Sequence, residues 1–313
     1  MNKIAKLLDT VNRVIIGKEE QVKLLVAALL ARGHVLLEDL PGMGKTVLAK
    51  TLAQAIGGSF QRLQFTSDLL PSDVVGLHYY NPQTGQFELR RGPVFADVLL
   101  ADEINRATPR TQSGLLECME ERQATIEGVT LPLSPAFFVV ATQNPLESEG
   151  TYPLPEAQLD RFLFRLHLGY ASREDGLEML RRFREDSPLE QVEPVISKEE
   201  ILQMQQEVRK VHVSEAVEHY VLDLTEATRD HKSVEVGISP RAMLAMVRAA
   251  QAVAFMEGRE YVLPDDVKRV APELITHRLH LTMDAELHVT EQEVAAEILQ
   301  SVPAPAEGAI PGR

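Results

Sequence analysis

His34-Val-Leu-Leu-Glu-Asp-Leu-Pro-Gly-Met-Gly-Lys-Thr46, continued by Val47-Leu-Ala-Lys-Thr-Leu-Ala-Gln-Ala-Ile56, sets the architecture of this chain. A short apolar run enters a turn at Pro41, Gly42 and Gly44, and the apolar residues after Lys45 recur at helical spacing, so the segment reads strand, tight loop, helix. Such a loop cradles phosphate. Gly42 and Gly44 let backbone N–H groups approach oxygens closely, while the helix N-terminus contributes partial positive charge. Lys45 supplies a point charge to the terminal phosphates, and the Thr46 hydroxyl is placed to ligate Mg²⁺. The strict G-x-x-x-x-G-K-[ST] pattern asks for glycine at position 39, where this chain has Asp39. A dinucleotide fingerprint fits less well, since its third glycine falls on Val47.

Upstream, residues 1 to 32 read as two helices around a turn at Gly17, with Val22, Leu25, Val26 and Leu29 forming one apolar face. The apolar turn Val14-Ile-Ile-Gly17 reads equally as plain core or as a cover for an adenine ring, through Ile16 and Gly17.

Downstream, Phe60-Gln-Arg-Leu-Gln-Phe65 alternates like a strand. Two short runs then flank the turn-rich Asn81-Pro-Gln-Thr-Gly85, which predicts a hairpin over about 76–90. Tyr79 and Tyr80 near its tip suit either a grip on a partner chain or half-buried packing. Val98-Leu-Leu-Ala-Asp102-Glu103 is the second decisive motif: a buried strand that delivers two carboxylates at its C-terminal end, where open α/β sheets place their chemistry. Asp102 suits Mg²⁺ and Glu103 suits polarisation of an attacking water. After a helix over 109–121 comes a second predicted hairpin, 124–133, whose tip carries Glu127 and no Lys or Arg. Phe137-Phe-Val-Val-Ala-Thr142 is another buried strand, and Asn144 emerges from it on the same sheet edge, suited to sensing a γ-phosphate or simply to a turn. Arg161, beside Asp160, precedes a last strand over 162–168 and taken alone reads as a surface ion pair.

Beyond Tyr170 the pattern becomes helical, with helix starts at Ser172, at Ser197 with Glu200, at Ser239-Pro240 and at Thr290 with Glu293. Arg241 falls in the first turn of a helix, where a positive charge invites an anionic partner. His277 and His280 lack metal-ligand context and read as a solvated face. Cys118 is the only cysteine, which excludes an intrachain disulfide, and its helical context reads as a small buried thiol.

The 313 residues suffice for two domains with real cores, and a net charge of −14 counts against nucleic acid as a partner. No window reaches the roughly 18 apolar residues of a membrane span, so a cytoplasmic location is expected.

The series Asp39-Leu-Pro-Gly-Met-Gly-Lys-Thr46, Leu99-Leu-Ala-Asp-Glu-Ile-Asn-Arg-Ala107, Ala141-Thr-Gln-Asn-Pro145 and Leu154-Pro-Glu-Ala-Gln-Leu-Asp-Arg-Phe162 resembles the MoxR family of AAA+ ATPases, over about residues 5 to 300. The resemblance implies an α/β P-loop core with a parallel sheet over 1–190, carrying both hairpin insertions. A smaller all-α lid over 191–302 would follow; the tail over 303–313 is too poor in core residues to fold and is expected to be disordered. It implies ATP and Mg²⁺, held by Pro41, Gly42, Met43, Gly44, Lys45, Thr46 and Val47, with Asp102 and Glu103 as Walker B and Asn144 as sensor 1. Arg161 resembles the arginine finger and Arg241 sensor 2; Arg165 and Arg106 compete for the finger role. The implied assembly is a ring homo-oligomer, commonly a hexamer. Its implied task is chaperone-like remodelling of a protein client, often with a von Willebrand factor A domain protein. A magnesium-chelatase-like ATPase subunit is an alternative. A DNA motor is another, disfavoured because related motors use basic hairpin tips where this chain has Glu127.

Overall fold

The computed structural model describes residues 3–145, 150–184 and 188–305. Most of the expected tail, 306–313, lies outside the described residues. The chain divides into two compact units, one of residues 1–23, 34–161 and 166–202, the other of residues 24–33, 162–165 and 203–313.

The chain opens with α1 (Lys3–Val14) and α2 (Glu19–Leu30), joined by the turn at Gly17. Strand β1 (Val35–Glu38) leads through the glycine loop to α3 (Lys45–Ala55) and then to β2 (Phe60–Gln64). A short α4 (Pro71–Val75) introduces a hairpin of β3 (Gly76–Asn81) and β4 (Gln86–Arg91). Next come β5 (Val98–Asp102), α5 (Pro109–Glu121), and a second hairpin of β6 (Gln123–Ile126) and β7 (Val129–Pro132). Strand β8 (Phe138–Gln143), α6 (Glu156–Leu159), β9 (Phe164–Leu166), α7 (Arg173–Arg182) and α8 (Lys198–Val208) follow.

The five-stranded sheet has the order β2-β5-β8-β1-β9. Its central strands are apolar along their length because parallel strands are covered on both faces. Val98, Leu99, Leu100, Val139, Val140, Val35 and Leu37 are wholly buried. Parallel registers align Leu37 with Thr142, Ala101 with Ala141 and Gln64 with Asp102, so β1, β2, β5 and β8 end together on one edge. Helix α3 adds Leu48, Ala49, Leu52 and Ala53 to the core beneath that edge.

The second unit holds α9 (Glu215–Asp230), α10 (Pro240–Met256), α11 (Pro264–Ile275) and α12 (Glu291–Ser301), plus an antiparallel ribbon of β10 (Val234–Val236) and β11 (His280–Leu281). Leu224, Met246, Val270, Leu274 and Ile298 form its core. Side chains of Ser214, Ser239 and Thr290 accept hydrogen bonds from first-turn amides and start their helices.

One expectation is overturned here. His277 is not on a solvated face but buried, with Nε2 against the carbonyl oxygen of Phe162 at 3.1 Å. A neutral imidazole has one donor for a carbonyl, and that bond offsets its burial. Cys118 is buried as expected, and burial raises its thiol pKa to about 12. Among the described residues no helix is long and apolar enough to cross a membrane.

Candidate functional site

The site is built on the sheet edge where the strands end. Between β1 and α3 the loop turns through Gly42 at φ 83° and Gly44 at φ 84°. An added Cβ would meet nothing within 4 Å at either position, so it is the left-handed backbone, not crowding, that selects glycine. Gly44 caps α3 without a side-chain acceptor, which suits the first-turn amides of the helix to an anion at the loop.

Lys45 Nζ donates to the carbonyl oxygen of Asp39 at 2.6 Å. Burial lowers the Lys45 pKa, while the carboxylates of Asp39, Asp102 and Glu103 act to raise it, which places all three within electrostatic reach of the ammonium. The Asp39 carboxylate accepts from the backbone amides of Leu168 and Gly169. The residue that departs from the strict motif therefore fastens the loop to the segment after β9.

Asp102 is buried at the end of β5. Its carboxylate accepts from Thr142 Oγ1 at 2.6 Å and from Nε and Nη2 of Arg62 at 3.0 and 2.6 Å. Glu103 adopts a left-handed backbone at φ 56°, and its N–H donates to the same Thr142 hydroxyl at 2.8 Å. Its carboxylate accepts from Gln64 Nε2 at 2.6 Å and pairs with Arg106 Nη1 at 3.1 Å. One hydroxyl thus spans both acidic residues, and β2 contributes a side chain to each of them.

A cavity of about 750 Å³ adjoins the loop. Val14, Ile15 and Ile16 line one side, Gly42, Met43, Gly44 and Val47 another, and Tyr170, Leu180 and Phe183 from the α7 region complete it. Its apolar walls beside a phosphate loop suit a flat heteroaromatic ring. Ile16 is in the wall; Gly17 is not, and the Asp175 carboxylate occupies the space a Cβ at Gly17 would need.

Asn144 is half-buried just past β8. Arg161 pairs through Nε with Glu120 of α5 at 3.0 Å. Arg241 lies in the first turn of α10, in the second unit, as does Arg165 of β9. Arg106 is engaged with Glu103. Sequence reasoning missed Thr142, Gln64 and Arg62. Their signal was positional: each lies in the last residues of a strand that ends beside Asp102, which requires the strand order to be known.

Residues 34–164 match the model of the ATPase family associated with various cellular activities, and residues 226–300 match the AAA lid domain. The uncharacterised protein YeaC of Bacillus subtilis is 48% identical over 305 residues, covering 97% of this chain and 95% of YeaC. Chaperone MoxR1 of Mycobacterium tuberculosis is 43% identical, over 96% of this chain and 82% of MoxR1. Protein MoxR of Methylorubrum extorquens is 32% identical, over 94% of this chain and 92% of that protein. A crystal structure of a Cytophaga hutchinsonii protein described as an ATPase superposes with a TM-score of 0.91 at 42% identity, covering 97% of this chain and 96% of that one. With this similarity running along nearly its whole length, the chain is an ATPase that belongs to the MoxR family of AAA proteins.

Proposed function

We propose that the chain is a Mg²⁺-dependent, ring-forming cytoplasmic ATPase that remodels or matures protein complexes. The observation that carries the reading is the convergence of Lys45, Asp102 and Glu103 at one sheet edge beside an apolar cavity. In this reading ATP lays its phosphates on the residue 41–46 loop and its base against Ile16, Met43 and Val47. Glu103 orients the attacking water, and Asn144 senses the γ-phosphate. Among the described residues no group of three or more His, Cys, Asp or Glu side chains is disposed to hold a metal. The hydroxyl of Thr46 and the carboxylate of Asp102 are hard oxygen donors that fit Mg²⁺ when phosphates and water complete its shell, where it would neutralise charge on the phosphates.

Arg161 is assigned to the γ-phosphate of a neighbouring subunit and Arg241 to the chain's own nucleotide, with assembly into a hexamer. A protein client is favoured over DNA by two features. The β6–β7 turn carries Glu127, and the β3–β4 hairpin exposes Tyr79, Tyr80 and Phe87, the last 73% exposed. One relative bears the name chaperone, which agrees with this choice. A protein with a von Willebrand factor A domain is the first partner to look for. The test is affinity capture with Glu103→Gln protein held in ATP, followed by identification of the retained proteins. Retention of nucleic acid in place of protein would overturn the client assignment.

A further inference from the structure

The peptide that follows Arg161 is locked in place. Phe162, Leu163 and Phe164 are 0, 6 and 0% exposed, and residues 162–165 segregate with the second unit. The carbonyl oxygen of Phe162 accepts two hydrogen bonds, from Nε2 of His277 at 3.1 Å and from Nη2 of Arg278 at 2.5 Å. Nη1 of the same guanidinium donates to the carbonyls of Leu163 at 3.3 Å and Leu274 at 2.5 Å. His277 and Arg278 end the 3₁₀ turn Thr276–Arg278 that follows α11, and are 5 and 6% exposed.

A guanidinium removed from water is costly unless its donors are met. Here they meet main-chain carbonyls on two segments, so the effect of the buried cation is to fix backbone positions. Burial, with Arg278 and Arg165 nearby, holds His277 neutral, which leaves Nε2–H to donate to Phe162. A Cβ at Gly33 would lie 2.6 Å from Cβ and Cδ2 of Leu163, so glycine at 33 leaves the room that Leu163 fills. Helix α6 spans Glu156–Leu159 and buries none of its residues. The Arg161 Cα is thus one peptide away from a residue whose carbonyl is fixed.

We propose that His277 and Arg278 are positioning residues for Arg161: by fixing the Phe162–Leu163 main chain, they set where the Arg161 guanidinium reaches in a neighbouring subunit's site. The proposal rests on the reading of Arg161 as an arginine supplied in trans. Such an arginine contributes about 10³ to 10⁵ in turnover, and a misplacement of about 1 Å costs roughly 10²-fold. Loosening the clamp lowers kcat and leaves the affinity of the chain's own nucleotide loop in place.

The test mixes Arg161→Ala chains with Lys45→Ala chains. Each is inactive alone, and activity returns where an intact loop meets an intact arginine. Arg278→Met is then placed in one partner or the other. In the Lys45→Ala chain, which donates the working Arg161, it is expected to cut the regained kcat by about tenfold or more. In the Arg161→Ala chain, which donates only the nucleotide site, the regained activity stays within about twofold of the parental mixture. His277→Leu is expected to show the same asymmetry, and His277→Gln, whose amide keeps a donor, to relieve it. Misfolding would lower the activity from both placements. Equal loss from both placements with Arg278→Met and His277→Leu alike, or no loss from either, overturns the clamp. If the parental mixture regains nothing at any ratio, the trans reading of Arg161 falls and the clamp with it.

Discussion

Asp39 stands where the strict phosphate-loop pattern has glycine, and its carboxylate is occupied with the amides of Leu168 and Gly169. Restoring the motif with Asp39→Gly is therefore expected to harm the protein. Two amides lose their acceptor, and an orphaned buried donor costs about 1–3 kcal/mol, to be read from the denaturant midpoint. Glu103→Gln keeps the side chain's size and its place beside Thr142 but removes the carboxylate proposed to orient the attacking water. Nucleotide binding by equilibrium titration should persist while turnover falls by about 10²–10⁴. His34 begins the opening stretch as a buried ring that accepts from Val139 N at 2.9 Å and bonds Met119 O at 3.2 Å. Burial, helped by the charge of Arg122, lowers its pKa to about 3 from 6.5. Because the folded pKa is the lower one, the unfolded chain binds the extra proton between pH 6.5 and about 3. Stability from the neutral ring is thus complete above pH 6.5 and declines on acidification, with a limiting slope of about 1.4 kcal/mol per pH unit. The stability gap between the parent and His34→Gln should narrow from pH 7 to pH 4.5 in unfolding titrations.

Among the elements, legibility followed burial. Strands β5 and β8 are continuous apolar runs ending in polar residues, and α3 repeats small and apolar residues at helical spacing, so Asp102, Glu103 and Lys45 could be placed from sequence. Both hairpins were legible from their turn residues. Strand β2 is an edge, with Gln61, Arg62 and Gln64 exposed, and alternation alone gave no reason to aim Arg62 and Gln64 at the acidic pair. His277 was misread because a histidine that bonds a distant carbonyl has the same local sequence as one facing water. The ribbon of β10 and β11 is too short to announce itself. In the β3–β4 hairpin, Tyr80 and Phe87 meet edge to face at 5.6 Å yet remain 55 and 73% exposed. Replacing Tyr79, Tyr80 and Phe87 together by serine removes little core. Basal ATPase is expected within about twofold of the parent, while proteins captured by the Glu103→Gln form in ATP are lost.

For the whole molecule, the proposed completion of the site by a neighbour would make activity depend on association. Specific ATPase activity should rise with protein concentration and level off where light scattering reports the full assembly; activity per chain that stays flat through dissociation would argue for a self-sufficient subunit. The electrostatics of the acidic site point to a second collective property. Asp39, Asp102 and Glu103 are answered by Lys45, Arg62 and Arg106 through the contacts already described. The formal charges of these six groups cancel. A bare divalent cation approaching Asp102 meets a carboxylate already paired with Arg62, and has to push that guanidinium back onto Gln64 and solvent. A triphosphate gives the displaced cations an anion to turn toward. Metal is therefore expected to bind here together with nucleotide in preference to binding alone, so that magnesium alone should leave the unfolding temperature unchanged while the pair raises it.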